Sequence, residues 1–405
     1  CDEFIFGNAT GAISATILAT FTNFSANYPV EFRSMIEGHA RQSWWDFGEG
    51  QATTNRPYVT HSWTSPGNYL VMLWVQNETF PDGITITQMV HVTEGNHYVS
   101  LASTNPTMPY TSWATAATNI QDAVDAAPAG GTIFVNDGNY RNGARVVTGM
   151  LSNRVAITRP MTLRSLNGPA ATIIEGNPLI GTQAVRCVYL TNGSALIGFT
   201  LTNGATATTG DPDSQQSGGG VWCNQTTNAL ISNCIFAGNS AFNEGGGAMH
   251  GTLVGCSLSN NVANVSGAVC LAGLQNCILT GNQAKQDAGA AFMSVLDGCL
   301  LRYNTAGRHG GAAASCILNR SLLTDNRCQE FGGAAYASTL TNSTVTGNTG
   351  RAGGGVNACT PYNCIVYYTS DSAAGNFVNC TFYYSDPLPL PDSGTNTITD
   401  EPLLD

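Results

Sequence analysis

A short motif that returns every 21 or 22 residues constrains this chain more than any other feature. The first clear copy reads Asn-Cys-Ile-Phe-Ala-Gly-Asn over residues 233–239. The terminal asparagine of each copy stays in phase, at Asn239, Asn261, Asn282, Asn304, Asn326 and Asn348. A glycine marker keeps the same period, at Gly246, Gly267, Gly289, Gly311, Gly333 and Gly354. Short β-type runs and turns at a fixed period predict a solenoid in which each repeat is one coil.

Stacking of the coils predicts where the repeated residues lie. Equivalent runs would form parallel strands about 4.8 Å apart, with one side of each strand facing the interior. Asparagine suits the turns, because it tolerates a left-handed backbone and can hydrogen-bond to the coils above and below. The cysteines form an inward ladder that we expect to be buried and mostly reduced, at Cys234, Cys256, Cys277 and Cys299, followed by Ser321 and Ser343. Disulfide pairing among the other cysteines stays open, since sequence does not fix connectivity.

The composition excludes several classes of protein. Charged residues make up 10% of the 405 residues, and 15 basic residues face 26 acidic ones, for a net charge of −11. A nucleic-acid-binding surface is not expected, because too few cations are available to neutralise phosphates. The chain has no apolar run of about 18 residues, so no membrane span is expected. The 13 cysteines show no zinc-type spacing, and we expect no cofactor.

Residues 1–95 read as short strands separated by turns, at the spacing of a small β-sandwich. Three segments carry a family pattern: Trp-Asp-Phe-Gly-Glu-Gly at 45–50, His-Ser-Trp at 61–63 and Pro-Gly-Asn-Tyr at 66–69. They resemble a PKD-type immunoglobulin-like domain, in which the position of Glu49 is usually Asp. The resemblance implies a spacer or interaction domain without an active site. Residues 96–112 then read as a linker.

One amphipathic helix is predicted, over residues 114–127. This helix, the strand at 132–135 and the repeats together resemble a right-handed parallel β-helix of the pectate-lyase-like superfamily. The resemblance implies an all-β chain, in which the sandwich is followed by a β-helix over residues 113–386 with an N-terminal capping helix, and then by an extended tail at 387–405. This combination is similar to large secreted bacterial surface proteins, which implies an extracellular or cell-surface location.

The resemblance also implies where chemistry could reside. Lyases of the superfamily typically use Lys or Arg as a base, often with Ca²⁺ held by clustered Asp or Glu, and its hydrolases use two or three Asp on adjacent coils. Folding the sequence onto the 22-residue period brings one set of ionisable residues to neighbouring coils: Lys285, Asp287, Arg308, His309, Glu330 and Arg351. This candidate patch could serve acid–base chemistry or binding, and the alternative is a solvated turn with surface ion pairs. Asp211 and Asp213 form a weaker candidate for Ca²⁺, against the alternative of a plain polar loop.

Three functional hypotheses follow. The scarcity of ionisable residues favours a non-catalytic structural or adhesive module, assembling head-to-tail through residues 1–10 and 387–405 into a filament or array. The alternatives are a polysaccharide lyase or glycoside hydrolase, and a carbohydrate-binding module without turnover. The expected partners are therefore further copies of the chain and glycans. Cys1 could be the acylated cysteine of a lipoprotein, and the alternative is that the numbering simply starts there.

Overall fold

The computed structural model describes residues 9–50, 52–54, 56–224, 228–367, 369–371, 375–387, 394–395 and 397. The chain divides into two compact units, Cys1–Asn96 with Ala127–Thr132, and His97–Ala126 with Ile133–Asp405. The main segment of the first unit thus ends one residue after the predicted sandwich boundary at residue 95. Cys1 and most of the two segments predicted to mediate assembly, 1–10 and 387–405, lie outside the described residues.

The first unit contains a β-sandwich built from two sheets. Sheet A has three antiparallel strands, in the order Ser14–Ala19, Val30–Glu37 and Tyr58–His61. Sheet B has five strands, in the order Asn23–Ser25, Ile84–Thr93, Gly67–Gln76, Gln42–Asp46 and Ala52–Thr54. The long strands of sheet B alternate between more and less buried residues, as expected for a sheet with one face in a core.

Aromatic side chains fill the core of this sandwich. Trp45 and Trp63 are completely buried. The indole N–H of Trp45 donates to the carbonyl of Arg56 at 2.9 Å, and that of Trp63 donates to the carbonyl of Phe47 at 3.1 Å. Both buried indoles therefore keep a hydrogen-bond acceptor while their rings pack in the core.

The second unit is a stack of coils that contribute strands to four sheets. Sheet C contains Asn96–Val99, Thr132–Val135, Thr162–Ser165, Ala195–Ile197, Leu230–Ser232, Thr252–Val254, Gly273–Gln275, Val295–Asp297, Ile317–Asn319, Thr339–Thr341, Thr360–Tyr362, Phe382–Tyr383 and Gly394–Thr395. Sheet D contains Gly138–Tyr140, Thr172–Glu175, Thr200–Thr202, Ile235–Ala237, Ser257–Ser259, Ile278–Thr280, Leu300–Arg302, Leu322–Thr324, Thr344–Thr346, Ile365–Tyr367 and Asp386–Pro387.

The other two sheets complete each coil. Sheet E contains Arg145–Val146, Ser152–Ile157, Val185–Leu190, Val221–Cys223, Ala248–Met249, Val269–Cys270, Ala291–Phe292, Ala313–Ala314, Ala335–Tyr336, Val356–Asn357 and Phe377–Val378. Sheet F contains Val262–Ala263, Gln283–Ala284, Thr305–Ala306, Arg327–Cys328, Thr349–Gly350 and Ser370–Asp371. Apart from Arg145–Val146, which pairs antiparallel, neighbouring strands of sheet E run parallel.

Strand pairing follows the period predicted from the sequence. Leu253 pairs with Leu274 in sheet C, and Leu258 pairs with Leu279 in sheet D, each one coil further on. These leucines are buried, so equivalent positions of successive coils line the interior of the stack. The stacked parallel sheets resemble a right-handed β-helix, and the predicted all-β fold class is confirmed.

The capping helix is shorter than predicted. A 3-10 turn covers Trp113–Thr115, and the α-helix covers only Ile120–Ala126. Ala116 has an extended backbone with ψ 142°, which ends the 3-10 turn. The Asn119 side chain then accepts the backbone N–H of Gln121 at 2.9 Å, and this local cap starts the α-helix. The predicted range of 114–127 therefore corresponds to two short helical segments.

Two segments predicted to lie outside the β-helix contribute strands to it. Asn96–Val99 lies inside the predicted linker 96–112 and is an edge strand of sheet C. Gly394–Thr395 lies inside the predicted tail 387–405 and pairs in parallel with Phe382–Tyr383. Pairing with an existing sheet edge determines these strands, and the local sequence carries little signal for it.

The repeated asparagines form a buried ladder of hydrogen bonds. Asn282 is fully buried, and its side-chain amide donates to the carbonyl of Leu258 at 2.9 Å and to Oδ1 of Asn304 at 3.0 Å. Its own Oδ1 accepts the backbone and side-chain N–H groups of Asn261 at 3.0 and 2.9 Å. The left-handed backbone expected for these asparagines lies one residue earlier, at Gly238, Asn260, Gly281, Tyr303, Asp325 and Gly347.

The cysteine ladder lies in the interior as well. Cys234, Cys256, Cys277 and Cys299 are buried free thiols, and Ser321 and Ser343 continue the series in buried positions. Sulfur also takes part in the coil-to-coil contacts, since the backbone N–H of Cys256 points at Sγ of Cys277 at 3.4 Å.

Candidate functional site

The candidate patch lies where a turn leads into each strand of sheet E. One residue with a left-handed backbone closes each turn, at Gly245, Ser266, Ala288, Gly310, Gly332 and Gly353. The residue before it occupies an equivalent position in these six coils, as shown by the bridges that join Glu244 to Val265 and His309 to Phe331. The backbone N–H of Ala288 also donates to the carbonyl of His309 at 2.8 Å. Asp287 and His309 therefore occupy equivalent positions on neighbouring coils.

Asp287 is the centre of the patch. Arg308 donates to its two carboxylate oxygens from Nε at 3.1 Å and from a terminal nitrogen at 2.5 Å. The Nδ1 atom of His309 lies 2.9 Å from Oδ1 of the same carboxylate. The carboxylate raises the pKa of Arg308, through hydrogen bonding and then through charge attraction. One acidic group thus holds two basic side chains of the next coil.

His309 is enclosed by aromatic rings and a second carboxylate. Its imidazole stacks on Tyr336 with a centroid distance of 4.5 Å, and on Phe331 at 5.5 Å. Its Nε2 lies 3.7 Å from a carboxylate oxygen of Glu330. The side chain keeps 21% of its surface exposed, so one imidazole is oriented between two carboxylates and remains accessible to solvent.

The remaining two predicted residues of the patch are Lys285 and Arg351. Lys285 is exposed, and its ammonium has no ion-pair partner among the residues that the structure describes. Arg351 is exposed, and its backbone N–H donates to the carbonyl of Glu330 at 3.0 Å. The structure therefore brings together Asp287, Arg308, His309 and Glu330.

Sequence reasoning missed a second polar cluster around Arg186. This side chain is 1% exposed and donates to the carbonyls of Gly218, Ser217 and Ser214 at 2.8, 2.8 and 2.6 Å. A further bond to Oδ1 of Asn153 measures 3.0 Å. Burial lowers the pKa of Arg186 to about 9, so the hydrogen-bonded cage compensates a costly position for a cation. An arginine inside the apolar run Val185–Leu190 was the available sequence signal.

The loop around Asp213 is attached to this cluster. Asp213 Oδ1 accepts the indole N–H of Trp222 at 3.2 Å and lies 3.0 Å from Nε2 of His250. Asp211 instead accepts the backbone and hydroxyl groups of Ser214, both at 2.8 Å, which lowers the pKa of its carboxyl. The two carboxylates proposed for Ca²⁺ therefore bind different protein groups.

Neither a metal centre nor a membrane span emerges from the described parts of the chain. These residues hold no group of three or more His, Cys, Asp or Glu side chains able to bind a metal ion. Among the same residues, no helix has the length and apolar character needed to cross a bilayer.

Comparison with known proteins identifies the N-terminal segment. A family model described as PKD domain matches residues 14–79. No curated protein sequence gives a significant match.

Solved structures offer distant likenesses. One, titled for the promiscuous specificity of carbohydrate-binding modules of the β-sandwich superfamily, is 25% identical, with a TM-score of 0.20. It covers 24% of this chain, which spans only 41% of that structure's length. The match to a rhamnogalacturonan lyase, at 10% identity and a TM-score of 0.45, covers 75% of this chain and 84% of the lyase chain. The match to a pectate lyase, at 14% identity and a TM-score of 0.41, covers 76% of this chain and 79% of the lyase chain. The chain combines a PKD domain at residues 14–79 with a region of stacked parallel strands that resembles a β-helix.

Proposed function

We propose that this chain is a non-catalytic extracellular module in which the β-helix is a stiff structural element and the PKD domain a spacer or adhesive domain. The observation that carries the proposal is that the Asp287 carboxylate is already engaged by neighbouring side chains. Its two oxygens already accept from Arg308, and Oδ1 also contacts His309. A catalytic carboxylate must present an oxygen to substrate or water, and ion pairing of this kind opposes that role.

The interior of the β-helix supports a structural role. Five successive side-chain bonds of 2.9 to 3.0 Å link the six ladder asparagines from Asn239 to Asn348. Such a buried network is satisfied only when neighbouring coils keep their register. It therefore favours a rod that resists bending and slippage between coils.

A polysaccharide panel tests the non-catalytic assignment. We expect the full chain to release neither unsaturated nor reducing sugars from neutral or acidic polymers. Release that disappears in Asp287→Asn and His309→Ala would overturn the proposal. Asp297→Asn is the matched control, since Asp297 lies at the end of a sheet C strand and pairs with Arg320, away from the candidate patch.

Polysaccharide cleavage is the second candidate function, and the position of His309 favours it. The imidazole contacts Asp287 through Nδ1 and faces Glu330 through Nε2, an arrangement suited to general acid–base chemistry. In the panel, this function predicts product formation that depends on His309. Binding without product would instead indicate a carbohydrate-binding module.

We also propose a secreted or cell-surface location and head-to-tail assembly. PKD domains are typical of extracellular proteins, which supports the location. Within the described residues, Asp386–Pro387 and Gly394–Thr395 are terminal strands of sheets D and C. The edge of a terminal strand can accept a strand from another copy, which supports assembly.

A further inference from the structure

The outer face of sheet B in the PKD domain carries a row of large apolar side chains. Alternation along Gly67–Gln76 directs Leu70, Met72 and Trp74 away from the sandwich core, while the residues between them are fully buried. On the neighbouring strand Ile84–Thr93, Met89 pairs with Leu70. Leu70 and Met89 are 42% and 43% exposed. This row is thus an apolar surface outside the core that the fold does not cover.

Two tryptophans form the centre of that face. Trp44 and Trp74 are direct partners on adjacent antiparallel strands. Their rings stack at a centroid distance of 5.9 Å and an interplanar angle of 29°. The indole N–H of Trp74 donates to the carbonyl of Asp82 at 3.0 Å, and Gly83 lies against the same ring, where an added Cβ would come within 2.3 Å. The Trp74 ring is therefore fixed in orientation, and Trp44 stacks on it, although both side chains are only half-buried.

Most polar side chains beside the tryptophan pair are neutral, and the face also carries the carboxylate of Asp46, which pairs with Met72 and accepts the backbone N–H of Gly48 at 2.8 Å. Gln42 and Gln76 are paired across the strands, and their amides are 3.4 Å apart. Thr85 is the partner of Trp74 on the other side, and Thr54 is the partner of Trp44. The outward positions of sheet B whose side chains the structure describes include no Lys or Arg. Amides and hydroxyls here can donate and accept hydrogen bonds without charge.

We propose that this face, centred on Trp44 and Trp74, binds a neutral polysaccharide chain. A sugar ring presents an apolar C–H face that packs on an indole ring, while its hydroxyls need neutral donors and acceptors beside it. An acidic glycan or a membrane phosphate would require cations that this face does not supply. The inference goes beyond the proposed function, because it gives the PKD domain a ligand of its own, independent of the candidate patch.

Affinity electrophoresis of the full chain tests the proposal. Native gels containing hydroxyethylcellulose or neutral xylan should retard the wild-type chain, and gels containing polygalacturonate should not. Trp44→Ala and Trp74→Ala should each weaken the retardation about tenfold, and Trp74→Phe should retain part of it. Trp113→Ala is the matched control, because Trp113 is a tryptophan that is 43% exposed and belongs to the other compact unit.

Several outcomes would overturn the proposal. Wild-type chain that migrates freely in both neutral gels would reject it, whatever the variants do. Equal retardation by polygalacturonate would reject the neutral class of ligand. A dimer detected by ultracentrifugation and lost in Trp44→Ala would identify the face as a contact between copies. Since a tryptophan variant could unfold, near-ultraviolet circular dichroism checks the fold of each variant. Independently of the variants, cellohexaose titrated into the wild-type chain must change its tryptophan fluorescence.

Discussion

The asparagine ladder shows how one side chain can satisfy three coils. Each interior member uses both amide hydrogens and both lone pairs of its oxygen, as Asn282 does with Leu258, Asn304 and Asn261. Completely satisfied polar groups are tolerated in a buried position, whereas a half-satisfied network is costly. The complete set of hydrogen bonds explains why a polar residue recurs at a position that is at most 1% exposed.

Replacing one ladder residue tests this account. Asn282→Ala removes the acceptor for the backbone N–H of Asn261 and leaves the carbonyl of Leu258 without its partner. We expect a loss of about 2–3 kcal/mol in the free energy of unfolding, measured by urea denaturation. Asn319→Ala is the control, since Asn319 bonds Asp297 in a partly exposed position and should change stability by less than about 0.5 kcal/mol. An equal loss of unfolding free energy in the two variants would contradict a stabilising contribution of the asparagine ladder.

The interior thiols make a second prediction at this scale. Burial raises the pKa of Cys187, Cys223, Cys234 and Cys316 to about 12. The thiolate is the reactive form, so at pH 8 these groups should stay protonated and resist alkylation in the native protein. Iodoacetamide labelling with peptide mass mapping should modify them only after unfolding in guanidinium. Rapid labelling of Cys234 under native conditions would show that the stack opens.

At the scale of the strand and turn, glycines set how closely coils approach. Gly311 does not have a left-handed backbone, yet a Cβ added there would lie 2.0 Å from the carbonyl oxygen of Gly333 in the next coil. Gly289 meets Gly311 in the same way, at 2.1 Å. The glycine marker of the repeat therefore reflects backbone packing between coils, in addition to the tight turn predicted from sequence.

A pair of glycine substitutions separates this packing from general backbone effects. Gly311→Ala should destabilise the protein by about 3 kcal/mol or more, because two backbones must separate. Gly273→Ala is the matched control: Gly273 also lies in a coil, and the nearest atom to its added Cβ is 3.8 Å away. Thermal unfolding of both variants measures the difference. A destabilised Gly273→Ala together with an unaffected Gly311→Ala would contradict the packing argument.

Comparing elements shows which parts of the fold a sequence can reveal. The 22-residue register predicted the strand stacking and the proximity of Asp287 to His309, because a solenoid converts a sequence interval directly into a spatial neighbour. The left-handed backbone of each turn was predicted at the ladder asparagine, one residue too far along the chain, since both residues of a Gly-Asn or Asn-Asn pair favour that backbone. The cage around Arg186 was missed, because its partners are backbone carbonyls of an irregular loop and carbonyls carry no sequence signature. The Trp44–Trp74 pair depends on strand register in the sandwich, which no internal repeat reveals.

For the whole molecule, the terminal strands of the coil stack are where another copy could bind. A β-helix with no partner at its terminal strands exposes backbone hydrogen-bonding groups, which favours association with another copy. Assembly should then depend on concentration and on the segment after Pro387. Multi-angle light scattering of the full chain should show a molar mass that rises with concentration above the 42.3 kDa of one copy. A variant that ends at Pro387 should stay at the mass of one copy, and Trp113→Ala should assemble like wild type. A full chain that remains at the mass of one copy at every concentration would reject assembly and leave the β-helix as a monomeric rod.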